Sequence, residues 1–386
     1  MVNDKLNFLI VDDIANMRRT IRNMLKYLGY KNFYDAENGK VALKKLKNHQ
    51  IDIVLADWNM PVMNGIELLK AIRNDDKLKL LPFIMITGEL DKSIIAEAAE
   101  YGADEYMIKP FVAKTLQKKI ENVISARNDP EKPLYHYFLG EKLLTEGKDR
   151  EALEEFKKAI KLDNKLLKAY SGLAKVLIKH GKFNDAEKVL KEALKINPNF
   201  IEGNHLLGEV YLELNNDEEA LHYLKQAYNL NPKNVDRNIT IGDVHLKRGE
   251  SNEAEKYFEE AIKYDSSKTK ALIKISDILM KHGKFNKAET ILTKLTEDYP
   301  DMLIAYNRLG IALRKQGKFR EAIKAYNKAL EYYDKDENVY YNIGRTYFEM
   351  KDYKNAALYF KKALKINPEF NEAKEALALV EKLIKN

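Results

Sequence analysis

The chain has 386 residues, a formal net charge of +7 and no cysteine. This length predicts two or more domains, and the lack of cysteine excludes disulfides, thiol nucleophiles and cysteine-ligated zinc. The seven histidines show no metal-binding spacing such as HExxH, and the basic residues form no continuous block, so the composition argues against a zinc enzyme and against a nucleic-acid-binding protein.

The sequence shows no sign of a membrane protein. Its longest apolar run, Leu80–Thr87, is well short of the roughly 18 residues that a membrane-spanning helix needs. The N-terminal sequence MVNDKLNFLI lacks the basic and apolar regions of a signal peptide. We therefore expect a cytoplasmic protein without membrane insertion.

The first third of the chain alternates between short apolar runs and amphipathic segments. Apolar, β-branched runs of this length predict buried strands, and apolar residues at helical spacing predict helices that pack on one face. The predicted strands are Asn7–Val11, Asn32–Ala36, Ile51–Asp57, Pro82–Thr87 and Glu105–Ile108, and the predicted helices are Ala15–Leu28, Gly39–Asn48, Ile66–Asn74, Ser93–Tyr101 and Val112–Ala126. Five β-α units in strict alternation predict an α/β doubly wound five-stranded parallel sheet with helices on both faces.

Polar side chains follow four of these strands at the point where each strand ends. They are Asp12 and Asp13, Asp57, Thr87 and Lys109. In such a sheet the carboxyl ends of the strands share one edge, where ligands usually bind. Crowded carboxylates need a cation, most plausibly Mg²⁺, while lysine and threonine suit an anion. This combination predicts a phosphoryl-transfer site at which one carboxylate attacks the transferred group.

Four motifs give the first third a family resemblance. They are VDD at 11–13, DWNMPVMNG at 57–65, MITG at 85–88 and KPF at 109–111. Together they resemble the receiver domain of bacterial two-component response regulators over residues 5 to about 127, most closely the chemotaxis-type receivers. The resemblance implies a flavodoxin-like fold for this part of the chain.

The resemblance also implies roles for individual residues around the sheet edge. Asp57 would be the phosphoacceptor. Asp13, Asp57 and the backbone carbonyl of Asn59 would bind Mg²⁺, and Asp12 would contribute through the water of the metal. Asn64 stands where the family most often has aspartate, and we expect no loss of activity because an Asn-Gly pair supports a tight turn equally well.

A second group of residues would transmit the phosphorylation state. Thr87 and Lys109 would contact the phosphoryl group, and Tyr106 would turn inward on activation. The expected output face lies around Lys92, Tyr106 and Lys119, next to this moving pair. Glu89 overhangs the site in this reading, which leaves the lifetime of the acyl phosphate open.

After a polar joint at residues 128–132, the chain repeats itself every 34 residues from Pro133 to Phe370. The eighth position of each unit is small, and the twentieth is alanine in all of them. Such small residues allow two helices to approach closely. The pattern resembles seven tetratricopeptide repeats, an all-α solenoid, followed by a capping helix at 371–386.

The first helix of each repeat is expected to line a groove for a protein or peptide partner. In repeats two to four the groove positions carry Lys168, Lys175, Glu202, Glu209, Asp236 and Asp243. In the last two repeats we expect partner contacts from Arg308, Arg314, Asn342 and Arg345, which suit an acidic peptide segment. The alternative is that these charges form an ordinary solvated surface.

The leading hypothesis is a response regulator that accepts a phosphoryl group from a sensor histidine kinase on Asp57 and controls protein interactions through its repeats. It would not be an enzyme beyond autophosphorylation from small donors and autodephosphorylation. A self-dephosphorylating phosphate sink, or a chemotaxis or motility regulator whose repeats only dock it to a signalling complex, remains an alternative. A transcriptional regulator is disfavoured because no helix-turn-helix unit or basic stripe is present.

Overall fold

A computed structural model describes residues 5–88, 97–265, 267 and 269–385. Three residues named above, Glu89, Lys92 and Ser93, lie outside these ranges. The chain divides into two compact units, Met1–Pro232 and Lys233–Asn386. None of the helices in the described ranges is both long enough and apolar enough to cross a bilayer.

The predicted parallel sheet is confirmed in the first unit. Its strands are β1 (Asn7–Val11), β2 (Asn32–Ala36), β3 (Ile53–Asp57), β4 (Phe83–Thr87) and β5 (Glu105–Ile108), in the order β2-β1-β3-β4-β5. Its helices are α1 (Ala15–Tyr27), α2 (Gly39–Asn48), α3 (Gly65–Arg73), α4 (described over 97–100) and α5 (Ala113–Asn128). All four strand pairings are parallel.

Alternate residues of the strands enter two different cores, one on each face of the sheet. Leu9, Val54 and Met85 pack with residues of α2 and α3. Phe8 and Leu55 pack with residues of α1 and α5 on the other face. Because β3 lies in the middle of the sheet, all five of its residues are buried, including the terminal aspartate.

The start of α3 places the turn after β3. Asn64 caps this helix: its side chain accepts a hydrogen bond from the Glu67 amide at 2.9 Å, and the Glu67 carboxylate accepts one from the Asn64 amide at 2.9 Å. This reciprocal pair is a capping box. The Gly65 amide donates to the Trp58 carbonyl at 2.9 Å, so the turn closes on the end of β3.

The remaining helices follow the predicted 34-residue period. In the first unit they are α6 (Pro133–Thr145), α7 (Asp149–Leu162), α8 (Leu167–Lys179), α9 (Phe183–Ile196), α10 (Ile201–Glu213) and α11 (Asp217–Leu230). In the second unit they are α12 (Val235–Lys247), α13 (Ser251–Tyr264), α14 (Thr269–Lys281), α15 (Phe285–Asp298), α16 (Leu303–Lys315), α17 (Phe319–Tyr332), α18 (Glu337–Glu349), α19 (Tyr353–Ile366) and α20 (Asn371–Lys385).

Helix α5 ends at Asn128, two residues beyond the predicted end at Ala126, and Asp129 is the first residue with extended backbone geometry. The division between the two compact units follows Pro232, so the polar joint at 128–132 lies inside the first unit. The first three helix pairs therefore form one compact unit with the sheet domain.

In most helix pairs a glycine of the first helix faces a larger side chain of the second helix. A side chain at Gly310 would overlap the ring of Tyr326, and Gly344 faces Phe360 in the same way. Repeat two carries the larger Ala174 at this position, and its partner position holds the smaller Leu190. Repeats two, six and seven therefore combine a larger residue at one position with a smaller one at the other, whereas repeat three combines Gly208 with Leu224.

We expect Gly310→Ala to lower the free energy of unfolding by about 1–3 kcal/mol, because the added methyl group overpacks the contact with Tyr326. Adding Tyr326→Leu to this variant recreates the combination found in repeat two and should recover part of the loss. Urea unfolding of the wild type, Gly310→Ala, Tyr326→Leu and the double variant, followed by circular dichroism, measures the coupling between the two positions. Strictly additive losses would contradict this packing account.

Candidate functional site

The polar residues selected from the sequence lie along adjacent strand ends. Asp12 follows β1, Asp57 ends β3, Thr87 ends β4 and Lys109 follows β5. Because the sheet order places β1, β3, β4 and β5 side by side, these four residues share the carboxyl edge of the sheet. Asp12, Asp57 and Thr87 are 1%, 8% and 2% exposed.

Lys109 connects the two buried carboxylates. Its ammonium nitrogen donates to Asp12 Oδ2 at 2.8 Å and to Asp57 Oδ1 at 2.5 Å. The remaining oxygens are held by the backbone: Asp57 Oδ2 accepts from the Asn59 amide at 3.1 Å, and Asp12 Oδ1 accepts from the Ile14 amide at 2.8 Å. Both carboxylates are therefore fixed in orientation before any ligand arrives.

Asp13 lies at the rim of this site. Its side chain is exposed, and its backbone carbonyl accepts a hydrogen bond from the Arg18 guanidinium at 3.2 Å, beside the Asp12 carbonyl at 2.6 Å. A role for Arg18 at this site was not predicted from the sequence. Its only signal in the sequence is that it lies five residues after Asp13, in the first predicted helix.

The donor set fits a hard divalent cation. The carboxylates of Asp12 and Asp57 both contact the Lys109 ammonium, which neutralises part of their negative charge in this structure. Their oxygens are hard donors of the kind that Mg²⁺ prefers. In the described ranges no group of three His, Cys, Asp or Glu side chains could hold a metal ion by itself. A backbone oxygen, such as the Asn59 carbonyl, or water would have to complete the coordination.

Burial and neighbouring charges set the protonation behaviour of the site. Burial raises the pKa of Asp57, and the nearby Asp12 carboxylate raises it further, against the opposing effects of Lys109 and the Asn59 amide. For Lys109, burial lowers the pKa, but the hydrogen bonds to Asp12 and Asp57 outweigh it, so the pKa of the ammonium is raised. Lys109 therefore keeps its charge at neutral pH.

A raised pKa means that Asp57 loses its nucleophilic carboxylate at a higher pH than an ordinary aspartate does. We expect an NMR titration of the Asp57 carboxyl carbon, in metal-free protein, to show a midpoint above the ordinary value of about 3.9. Spectra of Asp57→Asn identify the signal. A midpoint at or below the ordinary value would contradict the effect of burial.

The predicted switch residues occupy different environments. Thr87 is buried at the end of β4, whereas the Tyr106 side chain is 41% exposed on β5. The Lys119 nitrogen lies 5.4 Å from the centroid of the Tyr106 ring and 2.6 Å from Glu105 Oε2. Tyr106 therefore points outward in this structure, with Lys119 beside its ring.

The predicted partner-binding residues of the last repeats already have partners within their own unit. Arg308 makes a two-pronged ion pair with Asp277, through Nε at 2.6 Å and Nη2 at 2.8 Å. Asn342 donates to Asn307 at 2.9 Å, and the Arg345 guanidinium lies 5.8 Å from the centre of the Tyr341 ring.

Arg314 is placed differently from the other predicted groove residues. It is buried, and its guanidinium is paired with Glu349. Direct contact between Arg314 and a partner would require this pair to open. The assignment of Arg308, Asn342 and Arg345 to a partner surface stays a prediction.

Comparison with known proteins agrees with the geometry. Residues 8–121 match the response regulator receiver domain, and tetratricopeptide repeat profiles match residues 143–210, 177–222, 239–302, 273–337 and 307–371. Over 123 residues the chain is 46% identical to chemotaxis protein CheY-3 of Vibrio cholerae, which covers 32% of this chain and 95% of the relative. It is 45% identical over 123 residues to chemotaxis protein CheY of Pseudomonas aeruginosa, covering 32% and 99%.

A solved structure of Vibrio cholerae CheY4 is 34% identical, covers 31% of this chain and 98% of that one, and has a TM-score of 0.29. The fold and the site define a receiver domain joined to a helical repeat array. The chain belongs to the response regulator receiver family through a CheY-type domain at its N-terminus, and tetratricopeptide repeats make up most of the rest. The resemblance inferred from the sequence is confirmed.

Proposed function

We propose that this protein is a phosphorylation-controlled adaptor of a two-component system. A histidine kinase donates a phosphoryl group to Asp57, and the phosphorylated receiver changes which protein or peptide the repeats bind. The observation that carries the proposal is the fixed, buried Asp57 carboxylate in contact with Lys109 at the carboxyl edge of the sheet. The protein would act in the cytoplasm as a phosphoacceptor, with no enzymatic activity beyond self-phosphorylation and self-dephosphorylation.

The residues of the site suit this chemistry. An Asp57 oxygen attacks the phosphorus and the bond to the donor breaks, which leaves an acyl phosphate. Lys109 is close enough to Asp57 to move onto a phosphoryl oxygen, and Thr87 can supply a hydroxyl donor to another. Mg²⁺, held by Asp13, Asp57 and the Asn59 carbonyl and by Asp12 through a water, would neutralise charge on the transferred group.

The proposed route of the signal runs through the outward-facing Tyr106. When Thr87 moves toward the phosphoryl group, Tyr106 would turn into the space that Thr87 leaves and would separate from Lys119. The surface around Tyr106 and Lys119 would then have a different shape and charge. This change is what a partner or the repeats would detect.

We expect Tyr106→Ala to be phosphorylated at the wild-type rate and to lose most of the response of the repeats. The measurement is hydrogen exchange of residues 133–232 before and after treatment with acetyl phosphate and Mg²⁺. Tyr106→Phe is the matched control, because it keeps the ring that has to move. An unchanged response in the alanine variant would rule out this route.

The single tryptophan of the chain provides a direct test, because Trp58 is adjacent to Asp57. Its fluorescence should change when Mg²⁺ is added and again when acetyl phosphate follows. The second change should be absent in Asp57→Asn. No second change in the wild type, or the same change in the variant, would refute the proposal. A short-lived acyl phosphate with no effect on the repeats would instead favour a phosphate sink.

A further inference from the structure

Within the first compact unit, the receiver lies against the first helices of repeats one to three. The two sides enclose a cavity of about 210 Å³. From the receiver, the docking edge comprises Arg73, Glu100, Gly102, Asp104 and Arg127. From helices α6, α8 and α10, the first groove comprises Tyr137, Glu141, Lys168, Lys175 and Glu202. These five residues occupy the positions at which the repeat pattern predicts a ligand groove.

Direct contacts between described residues of the receiver and of the repeats include two hydrogen bonds and one contact between a cation and a ring. The Asn231 side-chain amide donates to Glu100 Oε2 at 2.6 Å, and the Lys168 ammonium donates to the Ala103 carbonyl at 3.4 Å. The Arg127 guanidinium lies 3.7 Å from the centre of the Phe138 ring. Asn231 is only 3% exposed, so its contact with Glu100 is shielded from water. Hydrogen bonds to a charged group contribute most when they are shielded in this way.

The docking edge is a rigid structure. Asp104 holds the two arginines, with Arg73 at 3.1 Å and Arg127 at 2.6 Å, and it also accepts a hydrogen bond from the Phe83 amide at 2.8 Å. Arg73 donates further to the Gly102 carbonyl at 2.9 Å. The receiver thus presents a preformed surface, and little conformational entropy is lost when the surface is bound.

Burial shifts the pKa values of charged groups in both the docking edge and the first groove. Burial lowers the pKa of Arg73 on the docking edge, although Asp104 opposes the effect. Burial also lowers the pKa of Lys168 and raises the pKa of Glu141 in the first groove. Groups on both faces are therefore desolvated in the docked arrangement.

We propose that the first groove is a binding site whose resident ligand is the docking edge of the chain's own receiver. An external extended peptide can use repeats one to three only after the receiver has left them. Docking uses the end of the sheet opposite to the phosphorylation site, because Asp104 precedes β5 and Lys109 follows it. The proposal concerns the occupant of the groove and does not rest on phosphorylation of Asp57.

The absence of cysteine from the chain makes the contact testable by crosslinking. In the full-length protein, Glu100→Cys with Asn231→Cys should be joined by a short bis-maleimide within the same molecule. The control pair is Glu100→Cys with Asn197→Cys. Asn197 occupies the same position of the repeat as Asn231, one repeat earlier, and its side chain is exposed. Preferential crosslinking of the first pair supports docking, and equal or absent crosslinking of the two pairs overturns it.

A charge change tests whether the contact keeps the groove closed. Asn231→Asp places a carboxylate against Glu100 and should release the receiver, so that a cysteine at the groove position Glu141 reacts several-fold faster with a maleimide. Asn197→Asp is the matched control and should leave this rate unchanged. Adding Glu100→Lys to Asn231→Asp should restore protection through a new ion pair. If the maleimide reaction rate is the same in all of these variants, the proposal is overturned. Thermal melts of each variant show whether a faster reaction is caused by unfolding.

Discussion

Replacement of Lys109 by methionine is expected to lower the rate of phosphorylation of Asp57 by about 10²–10³-fold, the range found when one donor to a developing charge is removed. Lys109 Nζ lies 2.5 Å from Asp57 Oδ1 and is the cation within the described ranges that is placed to follow the phosphoryl group. Methionine keeps the length and apolar stem of the side chain but has no charge. The loss therefore measures the contribution of the ammonium group.

The same substitution should also destabilise the receiver. Asp12 and Asp57 would be left without their shared cation, and breaking a buried ion pair in this way costs about 3–5 kcal/mol. Initial rates with acetyl phosphate and urea unfolding curves measure the two effects separately. Lys114→Met, at an exposed position on α5, is the control. Wild-type rates in Lys109→Met would remove Lys109 from the mechanism.

A second large effect is expected at Gly65, the first residue of α3. A Cβ atom here would overlap the backbone carbonyl oxygen of Asp57 and come within 3.0 Å of Met85 Sδ. Because the nearer obstacle is backbone, no change of side-chain conformation relieves the clash. We expect Gly65→Ala to lower the free energy of unfolding by about 3 kcal/mol, the upper end of the range for overpacking.

Phosphorylation of Gly65→Ala should fall as well, because the clash displaces the end of the strand that carries Asp57. Gly88→Ala provides the matched control on the neighbouring strand end, since its Cβ would meet none of the described residues within 4 Å. Urea unfolding and the initial rate with acetyl phosphate measure both consequences. If the two alanine variants behave alike, the close approach of α3 to β3 has no importance for the site.

The sequence was sufficient to predict the parallel sheet, the alternation of strands and helices along the chain, and the residues at the carboxyl edge of the sheet. Each of these depends on local pattern: an apolar strand buries both faces, and strict β-α alternation brings Asp12, Asp57 and Lys109 to one side. The register of the repeats could also be predicted from the sequence, because a 34-residue period places a small residue at the same point of every helix pair.

Contacts between distant residues could not be predicted in this way. Arg314 looked like a groove residue, yet it pairs with Glu349 on another helix, and a charge pattern along one helix does not show which charges are already neutralised. The bond between Glu100 and Asn231 joins residues 131 positions apart. The repeat pattern marks Asn231 as an ordinary helix end, so only the tertiary structure shows that it holds the receiver.

The central claim is that Asp57 accepts the phosphoryl group, and locating the acyl phosphate tests it most directly. The full-length protein is treated with acetyl phosphate and Mg²⁺, reduced with borohydride to mark the modified carboxylate, digested and sequenced by mass spectrometry. We expect a single modified residue, Asp57, and no modification in Asp57→Asn. Modification at another carboxylate in the wild type, or unchanged modification of the variant, would contradict the account.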